Sequence, residues 1–179
     1  MLIQTDKLKR KPRQIDIDES ATDFIVLNDL IKQGSVSFND RIHGTLTATW
    51  AGDVIEVAGR LTSSVTMSCS RCLAPVSCPL DTDVLLCYSG KSVDAPVADD
   101  VEIRSEEMGL IYFAGTEIDL RPDLEQEIVM ALPQQLLCRE TCKGLCPVCG
   151  INFNQDQCKC ERPVLHAGLE ALRNYKVEQ

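Results

Sequence analysis

Between residues 41 and 88 hydrophobic and polar positions alternate. Ile42, Leu46, Ala48 and Trp50 fall on even positions with Thr45, Thr47 and Thr49 between them, the period-two pattern of a strand with one buried face. Ala51-Gly52-Asp53 is a turn signal. Residues 54–69 then form a second run rich in Val, Ile, Leu and Thr, in which Val65, Met67 and Cys69 alternate against polar neighbours. These two runs are expected to pair as a hairpin. A third strand is predicted over residues 76–88, where Leu80, Thr82, Val84 and Leu86 share a parity. Pro79 lacks an N–H and favours an edge or a bulge there. After Asp119 the pattern turns helical. Leu124, Ile128, Ala131 and Leu132 make a stripe that would pack on a sheet. Asp119 is a candidate cap, Pro122 suits the first turn, Asp123, Glu125 and Glu127 complement the helix dipole, and Pro133 stops it. Leu165, Leu169 and Leu172 predict a shorter helix over residues 164–175. The class expected is α+β: a small, mostly antiparallel sheet with the 122–132 helix packed on it, followed by a C-terminal cysteine-rich zinc-binding segment.

Two stretches carry no such period. Residues 1–20 hold Lys7, Lys9, Arg10, Lys11 and Arg13 near Asp6 and are expected to be a basic, flexible arm. The stretch near residues 91–107 contains Asp94, Asp99, Asp100, Glu102, Glu106 and Glu107 and reads as an acidic connection. The expected division is therefore an arm at 1–20, an α+β core at 21–137 and a metal-binding tail at 138–179. With a net charge of −9, the body beyond the arm is strongly acidic, which argues against phosphate binding over the whole surface. A chain of 179 residues can bury a core without disulfides. Neither a secretory leader nor an apolar run of about 18 residues is visible, so a soluble cytoplasmic protein with reduced thiols is expected.

The ten cysteines are the densest chemistry. Cys146-Pro-Val-Cys149-Gly150 is a knuckle in which two sulfurs converge and backbone N–H groups point at them. Cys142 on one side and Cys158 or Cys160 on the other offer the further ligands that a tetrahedral thiolate site needs, and zinc suits such a set, with iron as its main rival. Cys142, Cys146 and Cys149 also have the C-x3-C-x2-C spacing of radical enzymes, but those need a large barrel that this chain is too short to build. Cys69 and Cys72 have three readings: reduced thiols at a strand turn, a second ligand pair meeting the tail, or a redox dithiol. Cys78 and Cys87 read as ordinary buried thiols, and His43 and His166 as structural. No nucleotide-binding loop, H-E-x-x-H or G-x-S-x-G occurs, so no enzyme activity and no small-molecule substrate are expected. Four protein thiolates would leave zinc no open position, making it structural. The opposing function class is a thiol or iron–sulfur redox protein.

Several motifs taken together, Cys69-Ser-Arg-Cys72-Leu73, Ile118-Asp119-Leu120, Met130-Ala-Leu-Pro133 and Cys138 to Gly150 with Asn152 and Cys158-Lys-Cys160, resemble the YceD family, the large ribosomal RNA subunit accumulation proteins. The resemblance covers roughly residues 20–165, with matched positions at Cys69, Arg71, Cys72, Cys142, Lys143, Gly144, Cys146, Cys149 and Gly150. It implies a role in accumulation or processing of large-subunit ribosomal RNA, met directly or through a protein partner, and implies no catalytic activity. Some members of that family lack the tail cysteines while keeping the Cys-x-x-Cys tip, which implies that the metal stabilises the domain. Arg71, Arg139, Lys143, Lys159 and Arg162, with the basic arm, are the candidate phosphate contacts.

Overall fold

The computed structural model describes residues 1–9, 11–90 and 109–161. The elements in order are β1 (Leu2–Gln4), α1 (Thr5–Leu8), β2 (Arg13–Glu19), a 3-10 turn (Ala21–Asp23), α2 (Ile25–Lys32), β3 (Val36–Phe38), β4 (Ile42–Ala51), β5 (Val54–Ser68), β6 (Pro75–Ser89), β7 (Leu110–Tyr112), β8 (Glu117–Asp119) and α3 (Arg121–Ala131). The protein is mixed α and β with mostly strand content. Two compact units divide the chain: Met1–Met67 with Val76–Gln134, and Ser68–Pro75 with the residues from Gln135 onward. Among the described residues no helix is long and apolar enough to cross a membrane.

In the first unit the alternating runs become β4, β5 and β6, at the centre of a six-stranded sheet ordered β2-β4-β5-β6-β7 with β3 also pairing β5. Strands β4 and β5 pair antiparallel from His43↔Thr62 to Ala51↔Val54, as the hairpin reading expects. Their inward positions are fully withdrawn from water, with Ile42, Leu46, Ala48, Val57 and Val65 all at 0% exposure. β7 is parallel to β6 and covers only Cys87–Ser89. Pro79 thus sits on a stretch of β6 that β7 does not reach, so β6 is an edge strand there on that side. α3 starts one residue earlier than its pattern suggested, and the Asp119 carboxylate accepts the Arg121 N–H at 3.1 Å. Leu124 and Ile128 fill the core as expected.

The N-terminal region departs from expectation. The described residues of the expected arm, 1–9 and 11–20, are folded and not flexible: β1 pairs with β8 from Leu2↔Asp119 to Gln4↔Glu117, and β2 pairs with β4 from Arg13↔Ala48 to Glu19↔Ile42. Ile3, Leu8 and Ile17 are buried and supply the reason. Their spacing spans a strand, a helical turn and a second strand, so no single period exposes them. α2 was also not visible in the pattern, because Ile25 and Val26 face outward while Leu27 alone is buried. Its N-terminus is satisfied from a distance, since the buried Glu125 carboxylate accepts the N–H groups of Val26 (2.5 Å) and Leu27 (3.1 Å). The acidic connection, the helix predicted at residues 164–175, Arg162 and His166 lie outside the described residues.

Candidate metal centre

The second unit has almost no apolar interior. Its fully buried residues among those described are Cys69, Cys72, Cys142, Gly144 and Cys146. Eight of the ten cysteines of the chain stand here in two groups of four: Cys69, Cys72, Cys138 and Cys142, and Cys146, Cys149, Cys158 and Cys160. In each group the four sulfurs lie within 4.8 Å of one another, so each could hold a metal ion.

Two knuckles organise these groups, and they are built alike. At the tip between β5 and β6, the Cys69 N–H donates to Ala74 O (2.8 Å) and the Leu73 N–H returns to Cys69 O (2.9 Å). In the tail, the Cys146 N–H donates to Ile151 O (2.8 Å) and the Gly150 N–H returns to Cys146 O (2.9 Å). The residue closing each turn is left-handed, Leu73 at φ 60° and Gly150 at φ 73°. Glycine holds that conformation without strain, whereas leucine costs about 1–2 kcal/mol there. The tail knuckle is carried by a small ladder of its own, with Leu145 bridged to Asn152 and the Phe153 N–H on Gly144 O at 3.0 Å.

Backbone donors converge on the leading sulfur of each knuckle. N–H groups of Cys138, Arg71 and Cys72 lower the Cys69 thiol to a pKa of about 6, and those of Cys149 and Val148 do the same for Cys146. Cys142 is lowered as well, chiefly by the Asn154 side-chain amide, whose Nδ2 lies 3.3 Å from the sulfur. The opposite shift falls on Cys138, pushed up to about 12 by Cys72 and by burial, and on Cys160, pushed up to about 12 by Cys149 and Cys158. A first thiolate makes each further ionisation in its group costly. A cation removes that cost and lets all four sulfurs ionise.

The spacing fits one ion per group. Cys69 and Cys142 sulfurs are 3.9 Å apart and those of Cys72 and Cys138 3.6 Å. A tetrahedral ion with sulfur at about 2.3 Å separates its ligands by about 3.8 Å. A disulfide would need about 2.05 Å, and all ten cysteines are free. A polynuclear iron–sulfur cluster caps different irons with different cysteines and spreads them wider than 4.8 Å allows.

The five tail cysteines singled out from sequence are divided: Cys142 joins Cys69, Cys72 and Cys138, while Cys146, Cys149, Cys158 and Cys160 stand together. Cys138 was outside the expected ligand set, and what could have found it is arithmetic, since two Cys-x-x-Cys knuckles each need two more sulfurs. Arg71 is exposed overall, but its guanidinium donates to Cys142 O at 2.9 Å, while its own carbonyl accepts the Leu145 N–H at 3.1 Å. Gly144 permits that approach: its φ is +77°, and a Cβ there would stand 3.1 Å from Arg71 O. Arg139, Lys143 and Lys159 are exposed. Cys78 and Cys87 are half-buried and belong to neither group.

Comparison with known proteins places both groups inside a recognised region. A family model described as "Large ribosomal RNA subunit accumulation protein YceD" matches residues 57–176. An uncharacterized protein of Mycobacterium bovis and another of Mycobacterium tuberculosis are each 30% identical over 147 residues, covering 78% of this chain and 58% of theirs. The chain therefore spans little more than half the length of the curated relatives it matches. No solved structure matches it.

Proposed function

The chain belongs to the YceD family, and from that premise we propose that it is a non-enzymatic factor in the accumulation of large-subunit ribosomal RNA, with structural zinc in its cysteine-rich part. The family match carries the reading, because it spans the residues of both cysteine groups. Zinc is favoured by the all-sulfur donor sets and their single-ion spacing. With four protein thiolates an ion has no open position for water, which supports a structural role over a catalytic one. The working place is the cytoplasm, where thiols stay reduced.

In this reading the contact with ribosomal RNA or its precursor, direct or through a protein partner, uses charges held beside the cysteines. Arg139, Lys143 and Lys159 project from the unit, and Arg162 extends the set along the sequence. Arg71 acts at one remove: bonded to Cys142 O, it positions the loop that presents Lys143. Charge reversal at Lys143, Lys159 and Arg162 is expected to weaken RNA association and flatten its salt dependence. Unchanged association with unchanged salt dependence would remove these residues from the contact.

The test of the function is the ratio of mature and precursor large-subunit to small-subunit ribosomal RNA in depleted cells, with a complemented control. A selective fall in mature large-subunit RNA is expected. An unchanged ratio alongside impaired growth would overturn the reading and bring forward the redox alternative, whose iron–sulfur form absorbs visible light where zinc is colourless.

A further inference from the structure

The likeness of the two knuckles goes deeper than their Cys-x-x-Cys spacing. In both, the leading cysteine donates to the carbonyl five residues on, accepts from the N–H four residues on through a left-handed residue, and draws N–H groups two and three residues on toward its sulfur. Only the source of the completing pair differs. Cys158 and Cys160 follow the tail knuckle by a few residues. Cys138 and Cys142 come to the tip knuckle from far along the chain, with Cys142 73 residues beyond Cys69 and Cys138 66 beyond Cys72. Cys142 and Cys146 are near neighbours in sequence and yet fall in different groups. Each knuckle thus has its own complete tetrahedral complement of sulfur, and no thiol is left to be shared.

We propose that the chain binds two separate zinc ions, one on Cys69, Cys72, Cys138 and Cys142 and the other on Cys146, Cys149, Cys158 and Cys160. The first ion is a long-range staple: it fastens the tip of the β5–β6 hairpin to the segment after Gln135. The second is local and shapes the tail knuckle. Without its ion the first group has little else to hold it. Across that seam run the Ser70 N–H to Leu136 O at 2.8 Å, the Leu136 N–H to Ser70 Oγ at 3.2 Å, and the Arg71 bonds to the Cys142–Leu145 loop. Loading changes no oxidation state; zinc displaces the thiol protons to solvent and forms four Zn–S bonds in each group. The proposal deepens the zinc part of the reading above and does not depend on its RNA part.

Zinc quantification with non-denaturing mass spectrometry of the full chain decides it. Two zinc ions per chain are expected. Cys72→Ser and Cys158→Ser should each leave one tightly held ion and their combination none, while Cys78→Ser and Cys87→Ser keep two. Amide exchange should accelerate at Ser70 and Leu136 in Cys72→Ser and stay slow there in Cys158→Ser. If either variant fails to fold, cobalt(II) titration of the zinc-free chain gives the same answer, thiolate-to-cobalt absorption rising to two equivalents. Saturation at one equivalent, or one zinc in the unmodified chain, overturns the two-site arrangement and leaves a single structural zinc standing. No bound metal at all removes the zinc reading as well, and the ribosomal RNA ratio still tests the function separately.

Discussion

The two units of this protein solve the same problem with different chemistry. The sheet unit buries Leu, Ile, Val, Phe and Tyr side chains in one continuous cluster, from Ile3 through Leu46 to Ile128. The cysteine unit buries sulfur and one glycine among its described residues and no aliphatic or aromatic side chain. An apolar core forms by itself once water is excluded. A set of thiols facing one another does not, because partial ionisation makes its members repel. The first unit is therefore complete as a polypeptide, and the second has in place of an apolar core two groups of four thiols that could each hold a metal ion.

The largest effect should come from removing metal. Chelation under reducing conditions takes away a term of about 10–16 kcal/mol per structural site, so protection of amides at 69–74 and 142–153 should vanish while the sheet persists. Equal loss of protection in β4 and β5 would erase the contrast. Acid should do the same work in steps. The lowered thiols Cys69 and Cys146 contribute stability that is full above the ordinary thiol pKa of 9.0 and is lost as pH falls through about 6. Metal retention followed against pH should therefore fall on acidification, as protons compete with the ion for the thiolates. Retention that does not respond to acid at all until the sheet itself unfolds would contradict thiolate ligation.

Cutting the other way, Leu46→Ala or Leu124→Ala opens a cavity in the sheet unit. Denaturant unfolding should report a loss of about 2–5 kcal/mol with the metal content unchanged. Glu125→Ala leaves two N–H groups of α2 without their acceptor and should cost about 1–3 kcal/mol by the same measurement, with Glu125→Gln recovering part of it. The smallest effect is the most local. Leu73→Gly relieves left-handed strain of about 1–2 kcal/mol at an exposed position, so metal should be held as well or slightly better in competition with a chelator. Weakened binding would show that the Leu73 side chain supports the knuckle.

What could be read from the sequence follows the same division. β4, β5, β6 and α3 were legible because each keeps one face buried along its whole length, so Ile42, Leu46 and Ala48, or Leu124 and Ile128, recur at a fixed period. β1, α1 and β2 were not, since Ile3, Leu8 and Ile17 are isolated apolar residues amid charge, and tertiary pairing, not local pattern, folds them. α2 was hidden by the outward Ile25 and Val26 and by a cap borrowed from Glu125. The tail knuckle was legible from Pro147 and Gly150, which announce its turn. The partition of the cysteines was not, because proximity along the chain places Cys142 beside Cys146, and only the long hairpin brings the tip to Cys138.

The pairing of β1 with β8 also sets an order in time. Gln4 and Glu117 are 113 residues apart, and translation at about 5–20 residues per second separates their emergence by roughly 6–23 s. Throughout that interval the first strand has made its appearance without a neighbour, with Ile3 still wet. The opening segment of the chain is thus among the last to find its place, and a nascent chain stalled before residue 117 would expose it to chaperones and proteases while the β4–β5 hairpin is already free to form.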